Sequence, residues 1–520
     1  MKLRLGFFLS VLLLACSNNK HNENYKIFKY NESAGIGSLD PAFAKDQANI
    51  WAITQLFNGL VQLDNDLAVK PAIAKEWYIT ADAKNYTFHL RTDVLFHQHK
   101  LLSEEQRLVT AHDFVYSFRR LTDPELASPG AWVMNNVNSY EAINDSTLKL
   151  TLKTPFPPFL GLLSMPYCSV VPEEVVSKTN FRDNPVGTGP FHFQYWKDNV
   201  KLVMRKNPDY FEQGLPKLDA VSVTFIKDKQ AAFLAFLKGE LDFISGLDAS
   251  FKDEVLTTSG VLQENYKGKI NLESQPYLNT EYLGFLMDEK NLSITQQKAI
   301  RKAINYGFDR EKMMTYLRNN IGTPALEGFV PKGLPSFTED LNGYDYNPEK
   351  ALVLLAEANV PLESEVILST TSSYLDICEY IQNQLLEIGL SIKIEVNPPS
   401  THRQMVATSK LNFFRGSWIA DYADAENYLA LFYSKNFCPN GPNYTHFKND
   451  EFDALYELAI QQTNDSIRYA LYQQMDQIIL DEAAIVPLYY DQVIRFVQTN
   501  IQNFESNGMN MLNLKHVEKK

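Results

Sequence analysis

Between Ile377 and Val396 the spacing of apolar residues changes once, from a helical period to a strand period, and this limits the folds open to the chain. Ile377, Ile381, Leu385 and Ile388 are separated by 4, 4 and 3 residues, which puts them on one helix face. Gly389 follows where a helix commonly ends in a left-handed turn. Leu390, Ile392, Ile394 and Val396 then alternate with Ser391, Lys393 and Glu395, the pattern of a half-buried strand. A helix delivering directly into a strand is the unit of an α/β lobe.

The same mixture recurs along the chain. Tyr86, Phe88 and Leu90 alternate with Thr87, His89 and Arg91 and predict a strand. Thr110 before Ala111-His112-Asp113 is a variant capping box. It opens a helix carrying Phe114, Phe118 and Leu121, which Asp123-Pro124 ends. Ala299, Ile300, Ala303, Ile304 and Gly307 share one face of a further helix. At 520 residues the chain exceeds one ordinary core, so two or three domains are expected. No repeat and no long low-complexity linker separates them, so they meet through short crossovers. The apolar share of 45% and charged share of 21% are those of a globular protein. A net charge of −13 argues against a nucleic-acid partner, and against strong attachment to anionic lipid without a covalent anchor. The 27 Tyr and 32 Phe exceed what a core needs and suit a wall of stacking surfaces around an organic ligand.

The N-terminus gives an address. Lys2 and Arg4 precede an apolar run from Leu5 to Ala15. The run is shorter than the ~20 residues of a membrane-spanning helix and suits an export signal. It ends Leu13-Leu14-Ala15-Cys16, which resembles the bacterial lipobox. The resemblance implies a lipoprotein signal peptide over 1–16, lipid on Cys16 and anchorage in the cell envelope, outside the cytoplasm. The alternative is a plain signal peptide with an incidental Cys16. Residues 17–24 carry no apolar group and read as a flexible tether. Of Cys168, Cys378 and Cys438, at least one is a free thiol unless it pairs between chains. No CxxC or Cys/His cluster suggests a metal.

Several segments, in order, resemble the peptide-binding family of ABC-importer solute receptors, the oligopeptide, dipeptide and nickel group. They are Ser38-Leu39-Asp40-Pro41, Leu56-Phe57-Asn58-Gly59-Leu60-Val61, Pro71-Ala72-Ile73-Ala74-Lys75-Glu76-Trp77 and Tyr86-Thr87-Phe88-His89-Leu90-Arg91. Thr110 to Phe118, Val186-Gly187-Thr188-Gly189-Pro190-Phe191, Arg205-Lys206-Asn207-Pro208-Asp209-Tyr210-Phe211 and Lys238-Gly239-Glu240-Leu241-Asp242 follow. The second half adds Ala303 to Arg310, Tyr346 to Ala351 and Trp418-Ile419-Ala420-Asp421-Tyr422. Each is weak alone; their number and order carry the resemblance. It implies a two-lobed, type II periplasmic-binding-protein-like α/β fold with an extra subdomain in the first lobe. The expected division is 25–50, 169–269 and 489–520 for the first lobe, 51–168 for the subdomain and 270–488 for the second lobe. Ligand would lie between the lobes, with Gly187 and Asp421 on opposite sides of the cleft.

The segment Arg415 to Asp424 carries the ligand chemistry. An enclosed zwitterionic peptide needs a partner for each charged end, a carboxylate for the ammonium and an Arg for the carboxylate. The resemblance implies that Asp421 holds the peptide's amine, that Trp418 and Arg415 line a side-chain pocket, and that Tyr422 belongs to the same site. His402, Arg403 and Lys410 are weaker candidates for the peptide's carboxylate end. Leu286 stands where the family commonly has Asn, which puts a polar contact there in doubt. His97 and His99 could face one way on a strand but have no third ligand nearby; solvated loop histidines are the simpler reading. Asp421 and Asp424 are spaced like paired carboxylates without a partner acid, which makes no glycosidase. No nucleophile or metal motif is readable. The expectation is therefore a monomeric binding protein, not an enzyme and without cofactor, passing short peptides to a permease. Its rivals are a receptor for a metal chelate, haem or sugar, and a lipoprotein enzyme acting on peptides.

Overall fold

The computed structural model describes residues 25–246, 251–288, 293–359 and 365–520. Cys16 and the tether 17–24 lie outside these residues. The helix-to-strand segment folds as its periods dictate. The helix Leu375–Glu387 buries Ile377, Ile381 and Leu385, Gly389 takes φ +83°, and Ser391–Val396 pairs in parallel with Glu365–Thr370.

That strand pair forms one end of an 11-stranded sheet running through the whole molecule. Next comes Phe413–Ile419, then the long antiparallel strands Ile270–Phe285 and Ile485–Gln498. Beyond them lie Phe243–Ser245, Ile27–Asn31, Ala220–Thr224, Lys201–Lys206 and Phe191–Lys197. The two long strands are common to both halves of the sheet. Asn279–Phe285 of the first pairs with Phe413–Ile419, and Arg495–Val497 of the second pairs with Phe243–Ser245. Their mutual register breaks between Pro276 and Thr280. At this break the Leu278 N–H donates to Gly508 O (2.8 Å), while Leu278 O accepts from Ala420 N–H (2.9 Å) and Tyr428 Oη (2.6 Å). One residue thus ties the C-terminal segment to the 420s.

A separate antiparallel sheet runs Ala74–Ile79, Asn85–Leu90, Thr147–Leu152, Val137–Asn144. The helix Ala111–Leu121 packs on it with Phe114 and Phe118 buried. The Asp113 carboxylate accepts from Thr110 N–H (2.7 Å) and Oγ1 (2.9 Å), so the capping residue is Asp where Glu is usual. Among the described residues no helix is long and apolar enough to cross a membrane.

Two expectations are refined. Cys168, Cys378 and Cys438 are all free and buried; burial pushes the Cys168 thiol up to about 12 and Cys378 to about 11. His97 is not a solvated loop histidine. It is buried, its Nδ1 accepts the Gly187 N–H (3.2 Å) and its Nε2 lies 3.0 Å from Gly189 O. Both ring nitrogens therefore hold the Gly187-Thr188-Gly189 turn, and desolvation pushes the imidazole down to about 3.

Candidate functional site

The turn that His97 holds presses against the end of the helix Gln47–Leu56. A Cβ on Gly187 would meet Leu56 O at 2.1 Å, and one on Gly189 would meet Leu56 C at 2.4 Å. Close packing here fixes Phe57, Asn58 and Pro190, which form one wall of a cavity of about 170 Å³. Asp421 and Tyr422 line it from the segment after Phe413–Ile419, and Met509, Met511, Leu512, Asn513 and Lys515 line it from the C-terminal segment. A cleft of about 580 Å³ adjoins on the Arg468 side, sharing Leu63, Gly161 and Tyr422. Another of about 690 Å³ shares Gln62, Leu63, Ala72, Asn513 and Lys515.

Asp421 lies two residues beyond the strand Phe413–Ile419. Asn427 Oδ1 accepts from Asp421 N–H (3.1 Å) and from Trp418 Nε1–H (2.9 Å). The Asn427 amide N–H also donates to Asp421 Oδ2 (3.4 Å). One amide thus orients both the carboxylate and the indole. The Asp421 carboxylate has lost water, which raises its pKa, and the Asn427 hydrogen bond offsets part of that rise. Among the described residues it has no ion-pair partner. A desolvated carboxylate of this kind attracts a cationic hydrogen-bond donor.

Tyr422 is buried and its hydroxyl donates to Glu426, as does that of Tyr456. Its ring meets Phe156 edge-on at 6.4 Å and joins the large core built from the N-terminal third of the chain. Tyr422 is therefore a contact between the two halves as well as a cavity wall. Asp424 pairs with Arg468 at 3.3 Å.

Arg415 and Trp418 do not line this cavity. The Arg415 guanidinium lies 3.2 Å over the Tyr374 ring and pairs with Glu281, itself 3% exposed. Glu281 also accepts from Asn279 Nδ2 (3.1 Å), and Tyr374 Oη lies 3.4 Å away. Burial raises the Glu281 pKa and Arg415 opposes the rise. Both Arg415 and Glu281 stand beside the register break. Trp418 packs against the core under the 420s. His402 is buried, its Nε2 2.8 Å from Arg415 O, while Arg403 and Lys410 are exposed. Leu286 is buried at the end of the long strand.

Along Phe413–Ile419 one edge pairs fully with Ile270–Phe285. On the other edge only Phe414 pairs, with Ser369. Residues 415–419 thus carry a strand on one side alone among the described residues, and this open edge leads to Asp421. Sequence reading missed Asn427, Glu281 and Lys515. Lys515 Nζ bonds Glu212 (2.8 and 2.9 Å) and Gln62 Oε1 (3.0 Å) at the far side of the cavity. None of the three carries a local motif, because each acts on a residue distant in sequence or on a neighbour through the fold.

Residues 68–437 match the family model for bacterial extracellular solute-binding proteins, family 5 Middle. The dipeptide-binding protein DppE of Bacillus subtilis is 26% identical, over 100% of this chain and 98% of its own. The probable deoxycholate-binding periplasmic protein YgiS of Escherichia coli is 27% identical, over 92% and 90%. The solved structure of HbpA2 from Haemophilus parasuis superposes with a TM-score of 0.85 at 24% identity, covering 95% of this chain and 100% of that one.

Proposed function

Because the chain belongs to the bacterial extracellular solute-binding proteins of family 5, we propose that it captures short peptides by their free amino end and delivers them to the permease of an ABC importer. It has the two-lobed type II periplasmic-binding-protein fold, with the extra antiparallel sheet in the first lobe. The reading rests on Asp421, a desolvated carboxylate without a cation among the described residues, at the end of an open strand edge. A peptide main chain can add along that edge as a further strand and place its ammonium on the carboxylate. Tyr422 then forms a wall, while Trp418 through Asn427 and Arg415 through Glu281 hold the strand in place. We propose the lobe division 25–50, 169–269 and 489–520 against 270–488, with 51–168 added to the first. The protein works as a monomer.

The test is a cycle of four calorimetric titrations. Asp421→Asn keeps shape and removes charge, and N-acetylation of the peptide removes the other partner. Each alone costs about 2–5 kcal/mol, and together they cost little more than either, since both break one interaction. Equal binding of free and acetylated peptide by the unaltered protein overturns the reading and favours a non-peptide solute.

We propose also that the mature protein is anchored through lipid on Cys16. Cys16→Ser then leaves the protein soluble or unprocessed; a cleaved variant that still sediments with membranes overturns this.

A further inference from the structure

Among the described residues, Asp421 and Lys515 are the only charged ones lining the interlobe cavity. Lys515 is already neutralised by Glu212, so Asp421 is the one charge there left to a ligand. The remaining surface is mostly apolar. Ile50, Phe57, Val61, Met165, Met509 and Met511 converge on it from segments far apart in the chain. Met side chains are unbranched and polarizable and adapt to apolar groups of varied shape.

From this juxtaposition we propose that the cavity is the subsite for the first side chain of the bound peptide, and that the protein selects peptides beginning with an apolar residue such as Leu, Met or Phe. The inference rests on the amine-binding role of Asp421. The first side chain branches from the carbon that bears the ammonium, so an ammonium held at Asp421 sets that side chain beside the cavity Asp421 lines. A charged first side chain would enter a desolvated space whose only cation is already paired, and would have to shed its own water. An apolar one gains about fourfold in affinity for each methylene it buries, at ~0.8 kcal/mol per methylene. The volume of about 170 Å³ has room for a large side chain. Polar contacts for later residues come from the open strand edge, which is blind to side-chain identity.

The experiment titrates the mature protein with tripeptides X-Ala-Ala, X being Ala, Leu, Met, Phe, Lys or Asp, each free and N-acetylated. Leu, Met and Phe should bind roughly 10- to 50-fold more tightly than Ala, from ~0.8 kcal/mol per buried methylene, and Lys and Asp more weakly than Ala. Met165→Gln, which keeps length and adds polarity, should lower the Leu-over-Ala ratio severalfold. Free peptides that all bind alike, yet lose affinity on acetylation, overturn the subsite while leaving the amine anchor standing. Acetylated and free peptides that bind alike overturn the anchor itself. A Leu-over-Ala ratio unmoved by Met165→Gln places the selective pocket elsewhere.

Discussion

Arg415 shows why a residue's type can be read from sequence while its partner cannot. Its place three residues before Trp418 suggested a pocket-lining cation, but Glu281, distant in the chain, takes the charge. Removing one member of a buried pair strands the other, so Glu281→Gln should lower unfolding free energy by about 3–5 kcal/mol. The double variant Glu281→Leu/Arg415→Met should regain most of it, as read by urea denaturation. Asp421 differs from Arg415 in that, among the described residues, no other chain segment supplies an ion-pair partner for its buried carboxylate. Glu426 carries a pH dependence. It is fully enclosed, receives two tyrosine hydroxyls and has no cation partner among the described residues, and desolvation raises it from 4.5 to about 7. Asp424, the nearest other acid, repels its charge, while Arg468 is engaged with Asp424. A folded-state pKa above the unfolded one stabilises the protonated form. That contribution is complete below about pH 4.5, falls as pH rises, and is gone above about pH 7. Its size is at most about 3.5 kcal/mol, at ~1.4 kcal/mol per pKa unit. Denaturation of the unaltered protein and Glu426→Gln at pH 5 and pH 8 should show a smaller fall for the variant.

Among the elements, those defined by local period were readable and those defined by contact were not. The helix Leu375–Glu387 and its following strand are stated by apolar spacing alone. The Gly187-Thr188-Gly189-Pro190 turn was visible as a turn, but its reason was not. Both glycines are required because the backbone of Leu56 and Phe57 lies where a Cβ would stand. Gly187→Ala should therefore cost about 1–3 kcal/mol or more, measured as a lower denaturation midpoint. The break between Pro276 and Thr280 has no sequence signature beyond a proline, since it depends on how two distant strands pair. The methionines of the cavity likewise reach one place from separate segments, and no spacing rule could join them.

For the whole molecule, the contact of Tyr422 with Phe156 and Gly161 gives a direct handle on lobe motion. A Cβ on Gly161 would lie 3.9 Å from that of Tyr422, within the ~3.5–4.5 Å span of a disulfide. The double variant Gly161→Cys/Tyr422→Cys should cross-link when oxidised. It should then neither take up nor release ligand until reductant is added, with exchange followed by fluorescence of a labelled peptide. Cross-linked protein that exchanges ligand freely would show that the lobes need not part. Small-angle scattering of the reduced, unaltered protein should show a smaller radius of gyration with saturating peptide. The shared strands also set the order in which the sheet can close. Ile270–Phe285 has no sheet neighbour on the first-lobe side until Ile485–Gln498 arrives, and the cavity has no complete lining until Lys515 does. Pairings this distant in sequence form late. Until the segment 485–515 docks, the two halves of the sheet therefore stay unjoined and the cavity unfinished, and its docking completes both in one event.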